Sequence, residues 1–327
     1  MEKRESLRGM QSASVRLRRR SRRSRSTIVI VGSGVVGMAT GKGLKAKGHR
    51  VIFCDVAPDR VALLRGQGFP AIHTDELAGP EPDAYLISVP SPTVVGRVDV
   101  SFVKDAADAV GRAIACHRTW ALVVVRSTVP PGTTEDVVLP TLELASGRRA
   151  GAGFGLCMNP EFLRAATAEQ DFLHPRVVVI GAWDERSDHA LRAIYAAWNE
   201  VPIISTSFRT AEAAKYVANL FNATKISFFN EMLRILVVAG ADPAAAFAGA
   251  VQGGTGFWDQ WYGTQCGAPY GGACLPKDTA AFLGFAEDLG FGDLMPILKA
   301  TLRMNDEMAE APSPVGAPAG MPQRRAV

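Results

Sequence analysis

Residues 27–55 constrain the fold more than any other stretch. Thr27-Ile-Val-Ile-Val31 is an unbroken β-branched run, the pattern of a strand buried on both faces. It leads into Gly32-Ser-Gly34-Val-Val-Gly37, a helical segment to about Lys47, and a second strand, Arg50-Val-Ile-Phe-Cys-Asp55. Strand, G-x-G-x-x-G, helix, strand and acid in this order describe a dinucleotide-binding βαβ unit. Gly32 makes the tight turn and Gly34 lets backbone approach a pyrophosphate. Gly37 allows helix and strand to pack closely, and the helix N-terminus favours the phosphates. Asp55 lies 21 residues past Gly34. A carboxylate there accepts hydrogen bonds from ribose hydroxyls and repels a 2′-phosphate, so NAD is expected rather than NADP.

The alternation continues. Strands are expected at 84–89, 120–125, 154–158 and 177–180, with helices at 101–117 and 184–198. The fold class is therefore α/β, a Rossmann-type doubly wound parallel sheet, whose ligands bind at the carboxyl ends of strands. Residues 88–92, 127–132 and 159–164 follow strand ends and are candidates for the site rim. From about Arg209 the texture changes. Residues 210–238 form one long helical pattern without Pro or Gly, punctuated by Gly240 and Pro243. Lys215 and Asn219 share a face of it. Glu212 and Lys225 read as solvated flanking charges, and a lysine on such a helix ordinarily snorkels to the surface. Residues 251–272 read as loop, and two helical segments follow, at 277–289 and 293–310. The expected organisation is an Arg-rich disordered tail over 1–26 and a Rossmann domain over 27–208. An all-helical central, dimerising domain follows over 209–310, and a disordered Pro/Ala/Gly-rich tail over 311–327.

The net charge of +4 is a property of the tail. Residues 1–26 hold nine Arg, one Lys and two Glu, a net +8, which leaves the remaining chain at −4. That tail alone points to nucleic acid, and the preferred reading is a disordered extension with no such role. No run is long and apolar enough to span a bilayer. The glycines at 32, 34 and 37 also break any secretory h-region. Five cysteines, Cys54, Cys116, Cys157, Cys266 and Cys274, form no C-x-x-C pair and no zinc spacing. Reduced thiols, a cytoplasmic location and no metal are expected.

Tyr270-Gly-Gly-Ala-Cys-Leu-Pro-Lys-Asp278 is the one cysteine setting with chemical content. A thiol near a lysine loses its proton more readily and becomes a nucleophile. A nearby aspartate can activate water. Taken by itself, the same segment also fits a cysteine in a glycine-rich turn before a helix.

Seven motifs fall in one order: the glycine turn; Val89-Pro-Ser-Pro92; Ser127-Thr-Val-Pro-Pro-Gly-Thr133; Asn159-Pro-Glu-Phe-Leu-Arg164; Glu212-x-x-Lys215-x-x-x-Asn219; Lys225-Ile-Ser-Phe-Phe-Asn-Glu231; and Gly271-Gly-Ala-Cys-Leu-Pro-Lys-Asp278. Over residues 27–308 this order resembles the UDP-glucose/GDP-mannose 6-dehydrogenase family. The resemblance implies oxidation of a sugar's primary alcohol to a carboxylate with two NAD⁺, through a thiohemiacetal and a thioester. It assigns Cys274 the nucleophile's part and Lys215 the stabilisation of an oxyanion. Asn219 would hold substrate or water, Asp278 with Lys277 would help activate water, and Thr128 and Glu161 would position it. Cofactor contacts are expected from Gly32, Gly34, Val35, Val36, Gly37, Asp55, Arg60, Val89, Pro90, Ser127 and Thr128. Substrate contacts are expected from Glu161, Phe162, Leu163, Arg164, Lys215, Asn219, Tyr270 and Gly271. The expected partners are a nucleotide sugar or nucleotide and a second copy of the chain.

Departures from the family pattern shape the alternatives. Ala165 and Ala166 stand where Glu and Gly are usual, Trp258-Asp-Gln-Trp-Tyr262 replaces an Arg-Ile-Gly segment, and Arg126 replaces a lysine. The family's further nucleotide-binding domain has no counterpart up to Ala311. A smaller nucleotide oxidised at its 5′-alcohol, a two-electron reaction releasing aldehyde, and a silent NAD-binding partner of a longer homologue are the alternatives.

Overall fold

The structure, a computed structural model, describes residues 25–264 and 268–310. Nearly all of the Arg-rich tail, Cys266 and the tail from Ala311 lie outside the described residues. The chain divides into two compact units, Met1–Ala218 and Asn219–Val327.

The first unit is built on an eight-stranded sheet. Its strands are β1 (Thr27–Val31), β2 (Arg50–Asp55), β3 (Ala71–His73) and β4 (Ala84–Ile87), then β7 (Leu122–Val125), β8 (Gly155–Met158), β9 (Val178–Ala182) and β10 (Ile203–Thr206). The sheet order is β10-β9-β8-β7-β4-β1-β2-β3. β5 (Thr93–Val94) and β6 (Arg97–Val98) form a separate hairpin. The order reverses direction at β1/β4, the switch point at which such sheets bind ligands. Six strands are parallel, but β9 pairs antiparallel with β8, and β10 follows β9. The doubly wound parallel sheet expected from the sequence is present, and only its β9–β10 edge runs the other way. The ends of β4, β7 and β8 still share one side, and these carry residues 88–92, 127–132 and 159–164.

Helices α1 (Val35–Ala46), α2 (Pro58–Gly66), α3 (Ser101–Cys116), α4 (Leu139–Ser146), α5 (Ala168–Leu173) and α6 (Glu185–Ile194) surround the sheet. Two apolar clusters cover its faces. One joins Val29, Tyr85, Val123 and Phe154 to Val110 and Ile114 of α3. The other joins Ile28, Ile30, Phe53 and Val124 to Leu44 of α1 and Leu191 of α6. Strand β3, helices α2, α4 and α5, and strand β10 had no expected counterpart.

Helix α7 (Phe208–Val238) crosses the division between the units. Its first turns correct one expectation sharply: Glu212 is fully buried rather than solvated. Its carboxylate accepts from the amides of Gly132 and Thr134. Gly132 has φ +102°, a left-handed conformation that a side chain would strain. Arg209, one turn earlier, pairs with Glu135 and Asp136.

The second unit is helical: the rest of α7, α8 (Pro243–Gly253), α9 (Thr255–Trp258), α10 (Leu275–Asp288) and α11 (Pro296–Glu310). The stretch expected as loop from residue 251 therefore begins inside α8 and includes α9. Ile235, Ala286 and Met295 form its small buried core. Buried Glu231 accepts from the amides of Ile297 and Leu298 at 2.6 and 3.0 Å. That satisfies two N-terminal amides of α11, which a helix leaves without internal partners.

Candidate active site

A cavity of about 1710 Å³ opens at the carboxyl ends of β1, β2, β4 and β7 in the first unit. Gly32, Gly34, Val35 and Val36 line one part of it, with Asp55 and Arg60 nearby. Val89, Pro90, Ser127 and Thr128 line another. The glycines fit a dinucleotide for distinct reasons. Gly32 has φ +94°, and a Cβ there would lie 2.6 Å from the Ser88 carbonyl oxygen. A Cβ on Gly37 would lie 1.9 Å from the Gly32 carbonyl oxygen, so a side chain there would break the helix–turn packing. Nothing lies within 4 Å of a Cβ on Gly34. That open ground above the N-terminus of α1 is where a pyrophosphate can meet backbone.

Asp55 closes the far end. Ser33 donates to its Oδ2 through both N and Oγ, and Ala57 N donates to Oδ1 at 3.1 Å. Burial disfavours the charge, but the hydrogen bonds from Ser33 and Ala57 and the Arg60 charge outweigh it. The Asp55 acid is therefore held below its ordinary range. A carboxylate fixed in the charged state suits ribose hydroxyls, so the chain's own residues fit the adenosine half of NAD.

Glu161 lines the same cavity, and its Oε1 lies 2.9 Å from Lys215 Nζ. Lys215 is 5 % exposed and Glu161 8 %, so Lys215 does not snorkel to the surface. The Lys215 ammonium also lies 5.8 Å from the Phe162 ring centroid. Leu163 N donates to Glu161 Oε2, which fixes the carboxylate within its own loop. Arg164 pairs with Asp171 at 2.7 Å. Ala165 and Ala166 line the cavity too.

Arg126 is buried and donates to Asn159 Oδ1 and to the Tyr195 hydroxyl, while its Nε has no partner. Arg126 and Glu161 line both the main cavity and a smaller one of about 340 Å³. No sequence signal marks Ser33, Tyr195 or the buried position of Glu212. Ser33 occupies an unspecified position of the glycine motif, and Tyr195 lies in a 3₁₀ turn with no motif.

In the second unit, Cys274 is exposed and immediately precedes α10. Its carbonyl accepts from Asp278 N at 2.8 Å. The Lys277 ammonium pairs with the Asp278 carboxylate. Gly272 has φ +81°, while Gly271 and Asn219 are exposed. The Tyr270 hydroxyl lies 3.4 Å from Thr279 Oγ1. Among the described residues no group of three or more His, Cys, Asp or Glu could hold a metal ion.

Comparison with known proteins adds the family. The NAD binding domain of the UDP-glucose/GDP-mannose dehydrogenase family matches residues 71–199, and its central domain matches 209–307. The chain is 35% identical to the UDP-glucose 6-dehydrogenase of Haloferax volcanii over 305 residues, covering 86% of this chain and 70% of that one. It is 32% identical to the GDP-mannose 6-dehydrogenase of Pseudomonas aeruginosa over 304 residues, covering 86% and 69%. A crystal structure of a ternary complex of GDP-mannose dehydrogenase from that organism superposes with a TM-score of 0.79 at 32% identity, covering 86% of this chain and 69% of that one. A UDP-glucose dehydrogenase from Pyrobaculum islandicum does so with 0.65 at 36% identity, covering 89% and 70%. The chain belongs to the UDP-glucose/GDP-mannose dehydrogenase family, as an NAD-dependent oxidoreductase carrying that family's NAD-binding and central domains.

Proposed function

We propose that this chain oxidises the primary alcohol of a nucleotide sugar to a carboxylate, in two oxidations followed by hydrolysis at Cys274. NAD⁺, when bound at the Gly32–Gly34 turn and Asp55, would supply the hydride acceptor, one molecule for each of the two oxidations. The observation that carries the reading is the buried Lys215–Glu161 pair, with Glu161 on the wall of the dinucleotide cavity. A cation held at a reaction centre stabilises negative oxygen as it forms, without reorganisation.

The chain's residues then divide the work. In the first oxidation the alcohol carbon loses a hydride and the hydroxyl loses a proton, giving an aldehyde. The Cys274 sulfur adds to that aldehyde to form a thiohemiacetal, and Lys215 stabilises the oxyanion. Loss of the second hydride leaves a thioester, which keeps the acyl carbon in place between steps. Water adds to the thioester, the carbon–sulfur bond breaks, and the acid leaves with the thiol restored. Glu161, Thr128 and Asp278 position the water and take up protons, Asn219 holds the substrate beside Lys215, and Lys277 supports Asp278.

A homodimer through α7 belongs to the same proposal. Val217, Leu220, Phe221 and Phe228 of this helix are exposed, three of them by more than 60 %. Apolar surface of this extent calls for cover, and a second copy supplies it. A reducing, cytoplasmic compartment accords with the free cysteines Cys54, Cys116, Cys157 and Cys274. Among the described residues no helix is long and apolar enough to cross a membrane.

The test is turnover of UDP-glucose, GDP-mannose and simpler nucleotides with NAD⁺, with products identified by mass. A nucleotide uronic acid supports the proposal. NAD binding without turnover across the panel contradicts it.

A further inference from the structure

Ser33, the unspecified residue between the first two glycines of the turn, is 1 % exposed and lines the dinucleotide cavity. Its hydroxyl works in both directions. It donates to Asp55 Oδ2 and accepts from Arg60 Nε at 3.1 Å. Its carbonyl accepts from the Arg60 Nη2 at 2.6 Å. Both hydrogen bonds of the Arg60 side chain therefore end on Ser33, and neither ends on Asp55. The serine hydroxyl is a spacer between a guanidinium and a carboxylate that belong to the same wall.

The Asp55 carboxylate already takes three donors: Ser33 N at 3.0 Å, Ser33 Oγ, and Ala57 N at 3.1 Å on the other oxygen. A carboxylate offers about four acceptor sites. The remaining one is on Oδ1, for a ribose hydroxyl. A 2′-phosphate brought to the same place would meet a carboxylate whose charge is not cancelled by direct pairing. Arginine and carboxylate form strong paired hydrogen bonds when nothing intervenes. Without the Ser33 hydroxyl, Arg60 Nε loses its acceptor and Asp55 Oδ2 loses a donor at the same point. The two then satisfy each other, the carboxylate is neutralised, and the repulsion of a 2′-phosphate falls.

We propose that Ser33 is a specificity-determining residue, whose hydroxyl keeps Arg60 from neutralising Asp55 and thereby sets the preference for NAD over NADP. It acts through its two neighbours and is a positioning residue, not a catalytic one.

The experiment is calorimetric binding of NAD and of NADP to the full chain, as wild type, Ser33→Ala, Ser33→Thr and Ser33→Ala with Arg60→Met. The quantity read is the ratio of the NADP to the NAD dissociation constant. Charge neutralisation at short range predicts that Ser33→Ala lowers this ratio by about fivefold or more. Ser33→Thr, which keeps the hydroxyl, retains the wild-type ratio. Adding Arg60→Met to Ser33→Ala returns the ratio to the wild-type value or above it, because no cation is left to pair with Asp55. A smaller change in Ser33→Ala, or a lowered ratio that survives loss of Arg60, overturns the proposal. Melting curves establish that each variant is folded. Should Ser33→Ala not fold, Ser33→Cys, a weak hydrogen-bonding group of similar size, is read against the same ratio and threshold.

Discussion

Lys215 Nζ lies 2.9 Å from Glu161 Oε1, and each side chain is at most a tenth exposed. One partner is carried by helix α7 and the other by the loop after β8. Removing the cation alone strands a buried carboxylate, which typically costs about 3 kcal/mol. Lys215→Met is expected to lower stability by that order in urea unfolding. Turnover is expected to fall about a thousandfold through the lost oxyanion stabilisation. NAD affinity, set at the Asp55 end, should change little in a calorimetric titration.

Two glycines of the turn, Gly37 and Gly34, should fail in different ways. Gly37→Ala forces a Cβ to within 1.9 Å of a carbonyl oxygen, so it should lower the melting temperature and abolish NAD binding together. Gly34→Ala meets nothing within 4 Å, so it should fold with a wild-type melting temperature. Its methyl group stands where the pyrophosphate approaches backbone, and NAD binding should weaken about tenfold or more. Paired melting and binding curves separate the two outcomes.

Glu212 titrates against the fold. Burial raises its acid above the ordinary value of 4.5, outweighing the hydrogen bonds from Thr134 and Gly132 and the charge of Arg209. The folded protein thus keeps this proton to higher pH than the unfolded chain does. The linked stabilisation is complete below 4.5 and is lost as pH rises through the raised value. Glu212→Gln cannot titrate and lacks that slope. Urea unfolding across this range should show wild-type stability falling relative to Glu212→Gln as pH rises.

The fold is legible in the sequence where spacing carries the physics. The glycine turn and Asp55 are local geometry, and the run of β-branched residues marks β1. β3 has only three residues, too few for any periodicity. The reversal of β9 and β10 leaves no trace in composition, because a buried strand reads the same in either direction. Glu212 read as solvated because its partners, Gly132 and Thr134, lie 80 and 78 residues away. Ser33 carries no sequence signal because the glycine motif leaves its position unspecified, and its contacts form only once Arg60 folds back onto the turn. Lys215 is marked in the sequence by its motif, but its burial comes from packing.

The cysteines should divide by accessibility. Burial pushes the Cys54 thiol up to about 12, and burial raises Cys157 as well. Both should resist alkylation in the native state, whereas exposed Cys116 and Cys274 should react. Peptide mapping after brief iodoacetamide treatment reads this directly. If alkylation at Cys274 alone tracks loss of turnover, the nucleophile's role is supported.

The most direct test of the central claim is the amount of NADH formed per nucleotide sugar consumed. Oxidation of a primary alcohol to a carboxylate through Cys274 requires about two NADH per substrate in the wild type. One NADH per substrate, with aldehyde released, would contradict the account.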